Sequence, residues 1–492
     1  MGIRPSIKNR SFPIPGTPFT PLFCLLLHIC LILSQPDSFA QSGQTGKLPD
    51  SSHKVIVHSI LINGNKHTRT SIILREIPFH EKDTIRLTSF ALQLQHAKEN
   101  IFNTGLFNIV TIDTSSSEGQ GLLDVKVRVI ERWYVWPWPY FEISDRNFNT
   151  WLETTDLSRL TYGIDLRITD VRGRNETLRI PVHYGFNQKL GFSYTIPYLD
   201  LKKIIGLGFG AEYMRNHEVI VETKNNKTVY YKEPDQFPRQ DVYAFAELLV
   251  RPTFYARHTL RISYISRTFN DSLLKVPGYL PDSSHHLNYF SIYYQYKNDH
   301  RDRQFYPLKG SYFDFEIDQN GIRAAHVNEL FLKANIRKYL QLFNRWYFAS
   351  GFTLKVTLTP QPAYLFLKGL GYGREFVRGY EYYVIDGKDF ILWKNNFKFA
   401  ILPEKVFSVD FLRSRKFNTV PYALYLNVFC DAGYAGNDQP AVADGNTLTN
   451  SLLVGYGAGF DFTTYYDVVL RLEFSMNGKG EPGIYLHFIA PI

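Results

Sequence analysis

The chain has 492 residues, a net charge of +9, 33 Tyr, 38 Phe and only three Met. The basic residues are spread out with no block of one sign, which argues against nucleic-acid binding and leaves contact with acidic lipid head groups as the simpler use of the charge. Three cysteines in so long a chain exclude a disulfide-scaffold protein.

Residues 1–40 read as a signal peptide. Arg4, Lys8 and Arg10 precede an apolar run from Leu22 to Leu33, and Ser38-Phe39-Ala40 puts small residues where a signal peptidase reads, so the mature chain is expected to begin at Gln41. The run falls short of the ~20 residues a spanning helix needs. Ile29 before Cys30 argues against lipidation. Cys24 and Cys30 leave with the leader, so Cys430 remains alone, and the mature part carries +7 once Arg4, Lys8, Arg10 and Asp37 are set aside. Residues 41–51 read as a linker.

Residues 52–132 read as one small domain. A strand from Val55 to Ile62 leads into Asn63-Gly64-Asn65, residues that tolerate positive φ. A short helix is expected over Thr70 to Ile77. A longer one is expected from Thr88, its cap, to Asn103, with Phe90, Leu94, Ala97 and Ile101 at helical spacing and Gly105 as the stop. Two strands follow, one through Ile109, Val110 and Ile112, the other alternating Leu123, Val125, Val127 and Val129 with Asp124, Lys126 and Arg128. This β-α-α-β-β order predicts a three-stranded sheet covered on one face by two helices.

Next come Trp133, Tyr134, Trp136, Trp138, Tyr140 and Phe141, read as an aromatic girdle at a water-lipid boundary. From there to residue 492 the pattern is strand after strand. Phe313, Phe315 and Ile317 alternate with Asp314, Glu316 and Asp318; Val468, Leu470, Leu472 and Phe474 alternate with Val469, Arg471, Glu473 and Ser475. One face suits lipid and the other water. Residues 133–492 have room for sixteen antiparallel strands at roughly 22 residues per strand and connection, more than one sandwich uses. The fold class is thus an all-β transmembrane barrel behind one small α+β domain, with segments 215–240, 269–287 and 436–451 as long outer loops.

Two stretches, Ile62-Asn63-Gly64-Asn65-Lys66-His67-Thr68 and Asn103-Thr104-Gly105-Leu106-Phe107-Asn108-Ile109-Val110, resemble the markers of a POTRA domain. Late in the barrel, Val377-Arg378-Gly379-Tyr380 is similar to the tetrapeptide of the BamA and TamA outer-membrane assembly superfamily, which includes the transporters of two-partner secretion. The resemblance implies that this tetrapeptide tips a loop folded into the lumen. An arginine there needs a carboxylate, because an unpaired buried charge costs far more than a pair. Strand phase puts Asn427, Phe429 and Asp431 on the polar face opposite Leu424, Leu426 and Val428, so Asp431 is the candidate counter-ion for Arg378. Phe429-Cys430-Asp431-Ala432-Gly433 also resembles the family's wall motif.

Two departures stand out. Many relatives carry a Glu in the strand after the tetrapeptide where this chain has Asn396, which weakens the case for a second carboxylate near Arg378. The family usually ends on an aromatic residue, whereas Ile489-Ala490-Pro491-Ile492 follow Phe488 here. Gly483, Leu486 and Phe488 still resemble an assembly signal, shifted by four residues.

The resemblance implies a specialised single-POTRA member in the bacterial outer membrane, its POTRA domain in the periplasm. Its partners would be the lipid bilayer, unfolded outer-membrane or secreted client proteins, and periplasmic chaperones or accessory subunits. Clients would be inserted or moved at a seam between first and last strands. A passive channel or porin and a two-partner-type secretion pore are the alternatives. No enzyme is expected: the Gly-x-Gly-x-Gly stretches at Gly206, Gly369 and Gly455 lack the lysine and hydroxyl of a phosphate loop and read as packing positions. His285-His286 lies in a polar loop, and neither a metal nor another cofactor is expected.

Overall fold

A computed structural model describes residues 54–488 apart from 118–120, 144–159, 234, 283, 323–326, 410, 413 and 439–444. Residues 1–40 and 41–51, expected as signal peptide and linker, and the last four residues lie outside the described residues. No helix among the described residues is long and apolar enough to cross a membrane.

The small domain runs β1 (Lys54–Asn63), α1 (Thr70–Leu74), β2 (Thr84–Arg86), α2 (Leu87–Asn103), β3 (Phe107–Ser116) and β4 (Leu122–Glu131). Its sheet has the order β2-β1-β4-β3, with β1 and β4 parallel. Alternation along β4 turns Val125, Val127 and Val129 onto the helices, where they pack with Val57, Ile72, Phe90 and Ile101. Gly64 has φ +100°, and a Cβ there would stand 2.0 Å from the Val129 carbonyl oxygen, so the turn after β1 demands glycine.

Three details differ from the sequence reading. The sheet gains a fourth strand, β2, whose three residues pair with Lys54–Ile56 and are too short to show a period. That pairing holds Arg86 extended, so α2 starts at Leu87 with no side-chain cap and Thr88 falls inside its first turn. The first helix ends at Leu74 rather than Ile77, although Ile77 is still buried in the core.

The rest of the chain builds one antiparallel sheet of sixteen strands. It begins with β5 (Val135–Ile143), β6 (Leu160–Val171), β7 (Glu176–Gly185), β8 (Asn187–Ile196) and β9 (Ile205–Asn216). A separate hairpin, β10 (Glu218–Lys224) and β11 (Lys227–Lys232), then interrupts it. The sheet resumes with β12 (Arg239–Val250), β13 (Ala256–Phe269), β14 (His286–Asp299), β15 (Gly310–Ile322), β16 (Glu329–Phe343) and β17 (Trp346–Thr357). It ends with β18 (Asp389–Ser408), β19 (Thr419–Gly436), β20 (Leu452–Thr464), β21 (Val468–Asn477) and β22 (Pro482–His487). Val468, Leu470, Leu472 and Phe474 are exposed on the outer face of β21, while Val469, Arg471, Glu473 and Ser475 are buried inside. Charge inward and hydrocarbon outward is the arrangement a lipid-facing barrel requires.

The sheet curls back toward its start: the Trp136 ring of β5 packs edge-on to Tyr466, in the turn before β21, at 4.9 Å. Among the described residues, no ladder joins β5 to β22, which end the hydrogen-bonded order on either side. β5 carries Pro137 and Pro139 while keeping its register with β6 unbroken. Proline has no N–H, so both ring nitrogens belong on the free edge, and the seam lacks two donors there.

The aromatic run does not form a girdle as a unit. Tyr134 is buried in the small domain's core. Trp136, Trp138 and Tyr140 lie on the inner face of β5, where Trp136 stacks on Trp138 at 4.8 Å and Tyr140 on the buried His183 at 3.6 Å. Phe141 faces outward, 72% exposed, opposite Tyr162. A period of two sends neighbouring residues to opposite faces, so a dense aromatic run inside a strand has to divide between them.

The small domain bonds to the turns at one barrel end. Thr68 donates to the Asp170 carboxylate at 2.7 Å, before the β6–β7 turn, and Arg75 Nε donates to the Lys203 carbonyl, in the β8–β9 turn, at 3.2 Å. The fully buried Glu76 accepts two hydrogen bonds, 2.7 and 2.8 Å, from Arg251 in the β12–β13 turn. Asn103 donates to the Arg301 and Asp302 carbonyls between β14 and β15, and Asn108 to the Lys416 carbonyl between β18 and β19. Arg132 pairs with Asp467 between β20 and β21. At the other end the expected loops are longer, and Asn226, at the β10–β11 tip, bonds through its N–H to Asn446 and through its side chain to the Leu448 N–H.

Two outcomes test this architecture. Leu472→Arg, in mid-β21 on the outer face, is expected to cost about 2–4 kcal/mol in denaturant unfolding from lipid vesicles; an unchanged midpoint would turn that face away from lipid. Glu76→Ala leaves the Arg251 charge without its carboxylate, a loss of about 3 kcal/mol. Amide exchange should then quicken at residues 68–77 and 251–254 while the strands stay protected.

Candidate functional site

The segment from residue 358 to 388 leaves β17 and re-enters β18 after folding into the barrel. Its two arms are clipped together by Leu370 and Ile385, whose N–H groups donate to each other's carbonyls at 2.9 and 2.8 Å. A short turn follows, with the Gly371 N–H donating to the Glu375 carbonyl at 2.7 Å. The tip between these arms carries Val377, Arg378, Gly379 and Tyr380, all buried.

Arg378 is completely buried and reaches the wall made by β19 and β21. Its Nε donates to Asp431 Oδ2 at 2.7 Å and its Nη2 to Oδ1 at 2.6 Å, a two-pronged ion pair. Nη1 lies 3.2 Å from Glu473 Oε1. The guanidinium sits 3.8 Å from the centre of the Phe429 ring, where the ring's negative face attracts the cation. Asp431 is fully buried and Glu473 nearly so, which makes each charge depend on the others.

Three glycines let the loop lie this close. Gly379 has φ +91° and its carbonyl accepts from Asn477 of β21 at 3.0 Å. A Cβ on Gly433 would meet Val377 at 2.5 Å, and one on Gly455 would stand 1.7 Å from the Arg378 carbonyl oxygen. The Tyr380 hydroxyl accepts from the Gly478 N–H at 3.0 Å. The loop tip therefore touches β19, β20 and β21 together.

Arg378, Phe429, Asp431 and Gly433, singled out in the sequence, are brought together here. Glu473 was missed as a partner. Its inward phase on β21 was visible, and it supplies the second carboxylate from a strand other than β18. Asn396, at the β18 position considered for that role, is fully buried, and neither amide atom is hydrogen-bonded among the described residues. Glu473 also leads to a further pair: Arg471 donates to Asp461 at 2.5 and 2.7 Å and stands 3.6 Å from Glu473. A chain of charges thus crosses the inner wall from Asp431 to Asp461.

The loop also holds the last strand. His487 of β22 lies 3.5 Å from Glu381, just past the tetrapeptide, and 3.6 Å from Glu473. Tyr383 donates to the Glu481 carboxylate before β22 at about 2.9 Å. Gly483 and Leu486 lie within β22; Phe488 follows it, exposed. Gly206 and Gly369 are packing positions, each against a carbonyl 2.5 or 2.3 Å from where a Cβ would sit. His285 and His286 bond to the Phe269 carbonyl and the Thr268 hydroxyl.

Comparison with known proteins bears on both parts of the chain. The Omp85 superfamily domain matches residues 170–474, and the POTRA family, described as surface antigen variable number repeat, matches residues 55–132. Among solved structures, BamA from Haemophilus ducreyi lacking POTRA domains 1–3 is 16% identical with a TM-score of 0.47, over 88% of this chain and 83% of that one. CdiB from Acinetobacter baumannii is 13% identical with a TM-score of 0.44, over 88% and 74%. CdiB from Escherichia coli is 10% identical with a TM-score of 0.45, over 95% of both chains. No curated protein sequence matches.

Arg378→Ala would leave Asp431 and Glu473 buried without their shared cation, an expected loss of about 3–5 kcal/mol. Combining it with Asp431→Ala should cost less than the two single changes added together, by at least about 1 kcal/mol in denaturant unfolding. Additive losses would show that the pair is not coupled energetically.

Proposed function

The chain belongs to the Omp85 superfamily, which serves protein insertion and translocation at the outer membrane, and we propose that it assembles client proteins at the seam between β5 and β22. The mechanism is physical and includes no covalent step. Client strands pair with the free strand edges, where main-chain hydrogen bonds give affinity with little demand on sequence. Clients arrive unfolded in the periplasm, alone or with chaperones or accessory subunits.

The observation that carries this reading is a contrast in how the barrel is held. From β18 to β21 the wall is tied by hydrogen-bonded ladders and by the buried charges around Arg378. Beyond β22, which is only six residues long, no ladder reaches β5 among the described residues. Opening there breaks the fewest bonds, and Pro137 and Pro139 reduce what re-closing can gain. Arg378 in this scheme keeps the wall beside the seam rigid while the seam moves.

The small domain supports a periplasmic placement. It lies against the short turns, and short turns face the periplasm in barrels of this kind. Its bonds across that mouth and the loop inside the lumen count against a passive porin, which needs a free aqueous path.

The test uses the mature chain reconstituted in liposomes with an unfolded outer-membrane barrel protein as client. The unaltered protein should speed client insertion over protein-free liposomes, and Arg378→Ala should lose that gain while its own barrel stays folded. Steady ion conductance with no acceleration of any client would replace this reading with the channel.

A further inference from the structure

Toward the barrel end opposite the small domain, two cavities of about 290 and 430 Å³ open on the same side chains, Arg267 of β13 and Lys368 and Tyr372 of the inward loop. Arg239 lines the smaller one. Arg239 and Arg267 share one close carboxylate. Asp241 takes hydrogen bonds of 3.0 and 2.6 Å from Arg239, while Arg267 Nε stands 3.7 Å away. Arg267 Nε is buried with no hydrogen-bond acceptor among the described residues, and its guanidinium lies over the rings of Tyr289 and Phe366 at 5.7 and 5.9 Å.

The Lys368 ammonium is reachable from the cavity, yet the surrounding protein still strips part of its hydration. That burial, then Arg239 and Arg267, holds its pKa below the usual lysine value. The other acids of these cavities are engaged elsewhere: Glu375 pairs with Lys333, Glu316 accepts from Gln295, and Glu218 faces Lys232. The pocket therefore presents fixed positive charge, with the exposed Lys368 side chain and the Arg267 side chain on its wall.

We infer that this pocket binds a phosphate group. The Lys368 ammonium donates to its oxygens with the Arg267 guanidinium beside it, and charge-assisted bonds of this kind are the stronger ones. The aromatic walls, among them Tyr279, Tyr364 and Tyr372, offer flat apolar faces for a sugar ring carrying that phosphate. The volumes suit a ligand of monosaccharide size.

The test is isothermal titration of the full mature chain, folded in detergent, with inorganic phosphate, glucose 6-phosphate and glucose. Both phosphate ligands should bind and glucose should not. Tighter binding of glucose 6-phosphate identifies a phosphosugar as the ligand, and equal binding identifies free phosphate. Lys368→Ala, whose ammonium makes no ion pair among the described residues, should weaken binding about tenfold, the effect of one charged hydrogen bond. Arg267→Gln should do the same, and added salt should weaken binding further. No saturable binding of either phosphate ligand, or equal affinity in the unaltered chain and a folded Lys368→Ala variant, overturns the site.

Discussion

A guanidinium cut off from water has to be neutralised where it lies, and Arg378 places that demand on several strands at once. Asp431 comes from β19 and Glu473 from β21, while β20 contributes Gly455 for the Arg378 carbonyl to pass. Each partner is available only in one register. A slip of one residue would turn Asp431 onto the lipid face and bring a neighbour of Gly455, with a side chain, under the loop. The loop thus acts on the wall as a gauge of register, and the wall in turn holds the loop. Freedom that this side of the barrel lacks is left to the seam.

Much of this was legible in the sequence because strand phase is a local property. Leu424 to Asp431 assigns its own inner and outer faces, and that is enough to put Asp431 where an inward arginine can find it. Glu473 had the same visible phase. Choosing it as a second partner required knowing how far β21 curves toward the loop, which no local pattern carries. The aromatic run after the small domain shows the opposite error: composition treats Trp136, Trp138 and Phe141 as one group, whereas the pleat of β5 parts them. β2 was invisible for a simpler reason, since three residues cannot display a period.

The docking of the small domain was also out of reach. Thr68 meets Asp170, Glu76 meets Arg251 and Arg132 meets Asp467, pairs separated by 102, 175 and 335 residues. Of these residues only Thr68 stands in a motif, and that motif does not point to Asp170. A buried Glu76 beside Arg75 reads from sequence as an ordinary surface pair, and only the fold brings Arg251 to it.

That docking surface has a consequence for how the molecule matures. It is a composite of turns strung along the chain from Asp170 to Asp467, so it does not exist in any partly threaded intermediate. The small domain is complete early in the chain, yet it has nothing whole to settle on until nearly every hairpin has closed. Contacts of such long separation form late, because the loops they close carry a large entropic cost. Seating of the domain is therefore a last step that reports on all the hairpins before it, and a barrel with one turn misplaced would be left with its small domain undocked and open to proteases.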